Sequence, residues 1–231
     1  MKKITAQRPT TQTSNELFGL VMGTYISSTL LLVRVVYSGR STELYLLWNL
    51  FLAWIPFILS HLIVRNFHPL RKNPVLLVIA GLIWLLFLPN APYVLTDLKH
   101  LQYLAPVPFW FDLVLLCSFA LNGLYLGLYS LSHIQGVVSN LYGQKRAWFM
   151  IGLIMYLTSL GIYLGRILRW NTWDVVTHPI LIIDDVVSRL LHPLAHFRMH
   201  VFVLLLAVTL YVIYRVFYFS FFEKKHNHFH Q

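Results

Sequence analysis

Charge is what this sequence has least of. Asp, Glu, Lys and Arg make up 11% of its 231 residues while 58% are hydrophobic, against about 25% charged residues in an ordinary soluble domain. That shortage excludes a water-soluble globule and calls for lipid. Cysteine is almost absent too: the single Cys117 excludes a disulfide within the chain and paired-thiol redox chemistry. No small-residue cleavage site follows the first apolar run, so that run is a retained span and not a signal peptide. Acidic residues number 8 against 18 basic ones. The resulting charge of +10 does not imply nucleic acid, because no basic stripe with interleaved aromatics lies on a soluble surface. Basic residues beside apolar runs meet anionic lipid headgroups instead.

What the sequence does have is apolar runs near the ~20 residues that a helix needs to cross a bilayer. Six are read: Leu17 to Tyr37, Leu44 to Val64, Pro74 to Leu88, Trp110 to Ser132, Trp148 to Leu168 and Val201 to Phe222. They predict an all-α, polytopic transmembrane bundle of about six spans, with a single transmembrane domain over 17–222 and tails over 1–16 and 223–231. Lys2, Lys3 and Arg8 precede the first run, so the positive-inside rule places the N terminus in the cytoplasm. Six spans then put Arg71, Lys72, Lys145, Arg146 and the tail with Lys224 and Lys225 on the same side. Glu43, Asp97, Asp112, Asp174, Asp184 and Asp185 fall on the other side, and only Glu16 and Glu223 fall inside. The external face is therefore expected to hold most of the chemistry.

The third run ends in LPNAPYVLTDLKHL, Leu88 to Leu101. Asn90 is a suitable N-cap and Pro92 suits a first turn. Val94, Leu95, Leu98 and Leu101 recur at helical spacing and leave Thr96, Asp97, Lys99 and His100 polar. The pattern predicts a short helix lying in the interface, with Asp97 and His100 on one face. Asp112 stands in the first turn of the fourth run, where a carboxylate suits the helix dipole.

After the fifth run, GRILRWNTWD crowds Arg166, Arg169, Asn171 and Asp174 into nine residues. Cations suit a helix C terminus, and Asn171 with Asp174 reads as a cap opening another helix. ILIIDDVVSRLLH then predicts a second interfacial helix covering the external face, with Asp185 and Arg189 as an i,i+4 pair. Arg34, inside the first run, needs a partner or a function, and Glu43 and Asp97 are the candidates. Gly19, Gly23 and Ser27, Gly123 and Gly127, and Gly161 and Gly165 repeat every four residues, a helix-packing signal. Asn49 and Asn122 must find hydrogen-bond partners inside the bundle, and Pro56 interrupts the second span.

WNLFLAWIP, WLLFLPNAPYVLTDLKHL, FWFDL and GRILRWNTWD occur in that order, and together they resemble the bacterial integral membrane family known as domain of unknown function 1361. The resemblance implies a multi-pass protein of the bacterial plasma membrane and brings no established activity with it; cofactors and protein partners stay unknown.

Three functions are compatible with these residues. In the first, a membrane enzyme acts on an anionic or lipid-linked substrate at the external face. Asp97, His100 and Asp174 would transfer protons, while Arg166, Arg169, Asn171 and Arg34 would bind the substrate. A metal at Asp97 and His100 would have two ligands where zinc needs three or four, so Asp112, Asp174 or His178 would have to join. In the second, a small-solute transporter or permeability pathway uses Arg34, Asn49, Asn122 and Arg215 inside the spans, although the two halves show no internal repeat of the kind many transporters carry. In the third, the polar loops dock another membrane component. Conservative changes such as Asp97→Asn separate the third from the other two.

Overall fold

Apolar helices of spanning length recur along the chain in the computed structural model, which describes residues 10–101 and 106–223. Six cover Ser14–Ser38, Thr42–Arg65, Pro74–Lys99, Phe109–Tyr142, Gln144–Arg166 and Phe197–Phe221. Each sequence run thus becomes a helix long and apolar enough to cross a bilayer, and no strand occurs among the described residues. The protein is an all-α, multi-pass membrane protein, and lipid is its solvent. Lys2, Lys3, Arg8, Lys224 and Lys225 lie outside the described residues.

The chain divides into two compact units, Met1–Gln144 and Lys145–Gln231. The first contains α1 (Thr10–Ser38), a 3-10 turn at Thr42–Leu44, α2 (Tyr45–Arg65), α3 (Phe67–Lys72), α4 (Pro74–Phe87), α5 (Asn90–Tyr93), a 3-10 stretch over Val94–His100, and α6 (Phe109–Tyr142). Local chemistry sets several ends. The Asn73 side chain accepts the Leu76 amide at 3.3 Å and Pro74 occupies the first turn of α4, the usual pairing at a helix start. Gly143, at φ +84°, closes α6 in a conformation that costs a glycine little.

Along α6, Asp112, Leu115, Phe119, Asn122, Leu126, Ser130 and His133 recur every three or four residues, and all are buried. They form one stripe. Its apolar members pack with Leu20 and Leu31 of α1 and with Leu46, Leu50 and Phe57 of α2. Its polar members are tied to neighbouring helices. The Asn122 amide and the Trp54 indole both donate to Thr24 Oγ1, at 2.8 and 3.1 Å. Trp84 donates to Ser130 Oγ at 2.8 Å, and Ser130 Oγ donates in turn to the Pro56 carbonyl at 2.8 Å. Gly23 makes room for the Asn122 side chain, since a Cβ there would lie 2.9 Å from Asn122 Oδ1. This is the close approach that small residues permit between spans.

The second unit holds α7 (Gln144–Arg166), α8 (Asp174–Thr177), α9 (Pro179–Leu191) and α10 (Phe197–Tyr218). Leu160, Met199 and Val203 centre its core, with Tyr156, Tyr163, Val186 and Phe202 around them. Arg215, one of the intramembrane polar residues, has its guanidinium 4.4 Å from the Trp148 ring centre and 4.7 Å from that of Phe219. Aromatic faces there take the cation that a lipid interior would reject.

Candidate functional site

Proline chemistry interrupts the third span. Pro89 and Pro92 have no amide hydrogen, so the Leu85 and Leu88 carbonyls lose their usual i+4 donors. The Leu88 carbonyl regains a donor one residue early, and side chains donate to two other carbonyls of the segment. Ala91 N donates to Leu88 O at 3.1 Å, Asn90 Nδ2 donates to Phe87 O at 3.0 Å, and Thr96 Oγ1 donates to Tyr93 O at 2.7 Å. Asn90 therefore closes the preceding helix, where the sequence predicted an N-cap of the next one. Pro89 stays in the right-handed helical region at φ −56°, so no extended residue provides N-cap geometry. From Val94 the chain tightens into seven residues of 3-10 helix, longer than the three or four usual for that winding.

The interrupted segment rests on a groove in α6. A Cβ on Gly123 would lie 2.8 Å from Ala91 O and 2.9 Å from Val94 Cγ2, and one on Gly127 would lie 3.2 Å from Ala91 Cβ. Gly123 is fourteen residues into α6, about 21 Å along its axis. The break thus lies well inside the span, and only the paired glycines let the backbone come that close.

This placement changes the environment of Asp97. The helical pattern predicted it on the polar side of an interfacial helix, yet it is 1% exposed and accepts a hydrogen bond from Asn49 Nδ2 at 2.8 Å. The 3-10 winding turns each residue by 120° where an α-helix turns it by about 100°, so the face read from the sequence drifts. Leu98 and Leu101 pack against the core shared by α1, α2 and α6. The His100 side chain lies outside the described residues.

Arg34 is 1% exposed and its guanidinium lies between two carboxylates. Nε and Nη2 donate to the two oxygens of Asp112 at 2.7 and 3.2 Å, and Nη1 stands 2.8 Å from Glu43 Oε2. Of its two expected partners, Glu43 is present, while Asp97 takes Asn49 and Asp112 replaces it. The two-pronged geometry is the strong form of such a pair. It joins the end of α1, the turn before α2 and the first turn of α6 as a clasp.

In the second unit, Asp174 Oδ2 accepts the Asn171 backbone amide at 2.7 Å and the Asn171 side chain at 3.3 Å. Thr177 donates to Asp174 Oδ1 at 3.3 Å. The exposed Asn171 and partly buried Asp174 are thus bound to each other, whereas the residue at the N-cap of α8 is Trp173, with no side-chain cap bond, so the capping half of the expected arrangement is not formed. Arg166 ends α7, where a cation suits the dipole. Arg169 is exposed and adopts φ +64°, an uncommon conformation for a side-chain-bearing residue. The turn it makes returns the Trp170 amide to Leu164 O at 3.1 Å. Along α9, Asp185 accepts from the Trp170 indole at 2.8 Å and from Arg189 at 2.8 Å. These two donors hold the Asp185 carboxyl below its ordinary pKa. Ile180, Ile183, Val187 and Leu191 of the same helix are exposed, the apolar face expected of an interfacial helix.

Sequence reasoning named Asn49 and Asp112 but not their partners, and no signal in the sequence pairs positions 48 or 78 residues apart. Among the described residues, no group of three His, Cys, Asp or Glu is placed to hold a metal ion.

No curated protein and no solved structure matches the chain. A family model described as Protein of unknown function (DUF1361) matches residues 48–213. That range includes Asn49, the interrupted third span with Asp97, Asp112 and the segment from Arg166 to Asp174, while Arg34 and Glu43 precede it. Because the match covers most of the chain, the protein belongs to the DUF1361 family.

Proposed function

We propose that the protein moves a small solute through the membrane in a step that needs a proton on Asp97. One observation carries this reading: a carboxyl 1% exposed, on an interrupted span and held by an asparagine at 2.8 Å. An ionisable group inside a span is costly and marks ion pathways and proton relays, and interrupted helices are where transporters place ion and substrate sites. Asn49 suits a carboxyl that changes state, because its amide offers N–H donors to a carboxylate and an oxygen to a carboxylic acid. The cationic residues at the ends of the spans support cytoplasmic termini in a bacterial plasma membrane. Arg71, Lys72, Lys145 and Arg146 then face anionic headgroups, and Asp97 lies toward the outer side.

A second reading is favoured by α9, whose exposed apolar face suits headgroup depth. Here the second unit acts on a lipid-linked or anionic substrate, with Arg166, Arg169 and Asn171 holding the anion and Asp174 exchanging a proton.

Proteoliposomes containing a trapped pH dye test both readings. Under the first, some member of a panel of small organic acids and bases changes internal pH when added, and Asp97→Asn abolishes the response while Arg169→Lys retains it. Asp97→Asn with full solute-driven pH change refutes the first reading. Conversion of a phospholipid or lipid-linked sugar, lost in Asp174→Asn, establishes the second.

A further inference from the structure

A second buried titratable group lies away from Asp97 in the first unit. His133 of α6 is 4% exposed and Glu16 of α1 is 6% exposed. Ser60 of α2 stands between His133 and the α2 backbone. Its hydroxyl donates to Phe57 O at 2.8 Å, which leaves a lone pair for His133 Nδ1 at 3.0 Å. The ring therefore carries its hydrogen on Nδ1 and turns Nε2 toward Glu16 Oε2, 3.8 Å away. The His61 ring of α2 is centred 6.0 Å from the His133 ring, and Phe57 covers it at 5.6 Å. Among the described residues, Glu16 from α1 and His61 from α2 are titratable groups set against it. Ser60 lies eleven residues beyond Asn49 on α2, about 16 Å along the helix, so this cluster and Asp97 occupy different depths.

We propose that Glu16, Ser60 and His133 form a proton-binding site. One proton has two places within it. It rests on Glu16 Oε2 facing a neutral imidazole, or, when side-chain rotation closes the 3.8 Å gap to hydrogen-bond length, the Oε2–H bond breaks as an Nε2–H bond forms, leaving a carboxylate facing an imidazolium. Net charge is the same in both. The pair then takes up or releases a further proton as one unit.

The contrast with Arg34 in the same unit supports this assignment. Arg34 and Asp112 are locked at 2.7 Å in a two-pronged pair whose cation cannot lose its proton. Glu16 and His133 stand 3.8 Å apart, beyond hydrogen-bond distance, and imidazole is the side chain that titrates near neutral pH. One buried pair is built to stay charged and the other to exchange. The proposal stands on this geometry alone and does not depend on the role of Asp97.

Infrared difference spectra of the full-length protein in lipid nanodiscs, recorded against pH between about 4 and 9, test it. The wild type is expected to show a carboxyl band and an imidazole band titrating together. Glu16→Gln should remove that carboxyl band and shift the imidazole midpoint by about one pH unit or more, a tenfold change in proton affinity. Ser60→Ala should shift the midpoint and remove neither band, and Asp97→Asn should leave both unmoved. Absence of a titrating carboxyl band from folded wild type overturns the proposal, as does an imidazole midpoint indifferent to Glu16→Gln. Should Glu16→Gln fail to fold, Glu16→Asp takes its place, and an unshifted midpoint there overturns the proposal equally.

Discussion

Replacing Gly123 with alanine tests the packing that buries the interrupted span. The new Cβ would lie 2.8 Å from the Ala91 carbonyl oxygen and 2.9 Å from Val94 Cγ2. Carbon and oxygen atoms in contact prefer roughly 3.3 Å or more, so the two backbones must part by about half an ångström. The Val94 methyl can turn aside, but the Ala91 carbonyl is main chain on a segment already fixed by two prolines. Overpacking of this kind costs about 1–3 kcal/mol, or roughly fivefold to 150-fold in the folding equilibrium. At Gly127 the nearest atom is Ala91 Cβ at 3.2 Å, and the cost should be the smaller of the two. At Gly136, on the same helix, nothing lies within 4 Å, so alanine should be neutral or slightly stabilising. Reversible unfolding in mixed lipid–dodecyl sulfate micelles should therefore rank the damage Gly123→Ala, Gly127→Ala, Gly136→Ala. Equal effects at all three positions, or the greatest at Gly136, would refute the packing of Ala91 and Val94 into this groove.

The clasp and the α9 carboxylate give two further expectations. Arg34→Met strands Asp112, of which the side chain is 8% exposed, and should destabilise the protein by about 3–5 kcal/mol, whereas Arg34→Met combined with Asp112→Leu should recover much of that loss; unfolding titrations of the two single variants and the double variant measure the coupling. Asp185, held by Arg189 and Trp170 with its pKa lowered, stabilises the fold above the unfolded carboxylate value of about 3.9. That contribution is lost as pH falls through the lower folded value. Because a third of the side chain is exposed, it is worth only about 0.3–0.5 kcal/mol, and the Trp170 emission, isolated as the difference between wild type and Trp170→Phe, should shift over that acidic window as the indole loses its carboxylate acceptor.

The spans were readable because their signal is compositional: a run near 20 apolar residues has few other fates. Of the spaced glycines, those at 23, 123 and 127 pack closely while Gly19 has nothing within 4 Å, and the Asn171–Asp174 contact also followed from spacing. Asp97 was misplaced for a definite reason. Reading Val94 to Leu101 with an α-helical period assumes 100° per residue, and the prolines upstream set up a 3-10 winding in which that face is not conserved along the segment. Arg34 was recognised as needing a carboxylate, but three stood at the same end of the bundle. Asp112 prevailed over Asp97 through tertiary packing of α1 on α6, and sequence spacing carries no trace of it. The same holds for Asn49 and Asn122, whose need for partners was clear and whose choices, Asp97 and Thr24, were not. His133 is the sharpest case: nothing in its sequence neighbourhood marks it, and Glu16 stands beside it from a helix more than a hundred residues earlier.

Sided thiol labelling tests the central claim, that Asp97 is enclosed by the bundle, most directly. With Cys117 replaced by alanine, single cysteines at positions 97 and 99 would meet a membrane-impermeant reagent on intact cells. Lys99 is exposed and Asp97 is buried, so rapid labelling is expected at 99 and almost none at 97 until the protein is unfolded. Equal labelling rates at the two positions would place the whole segment in the interface and contradict the account.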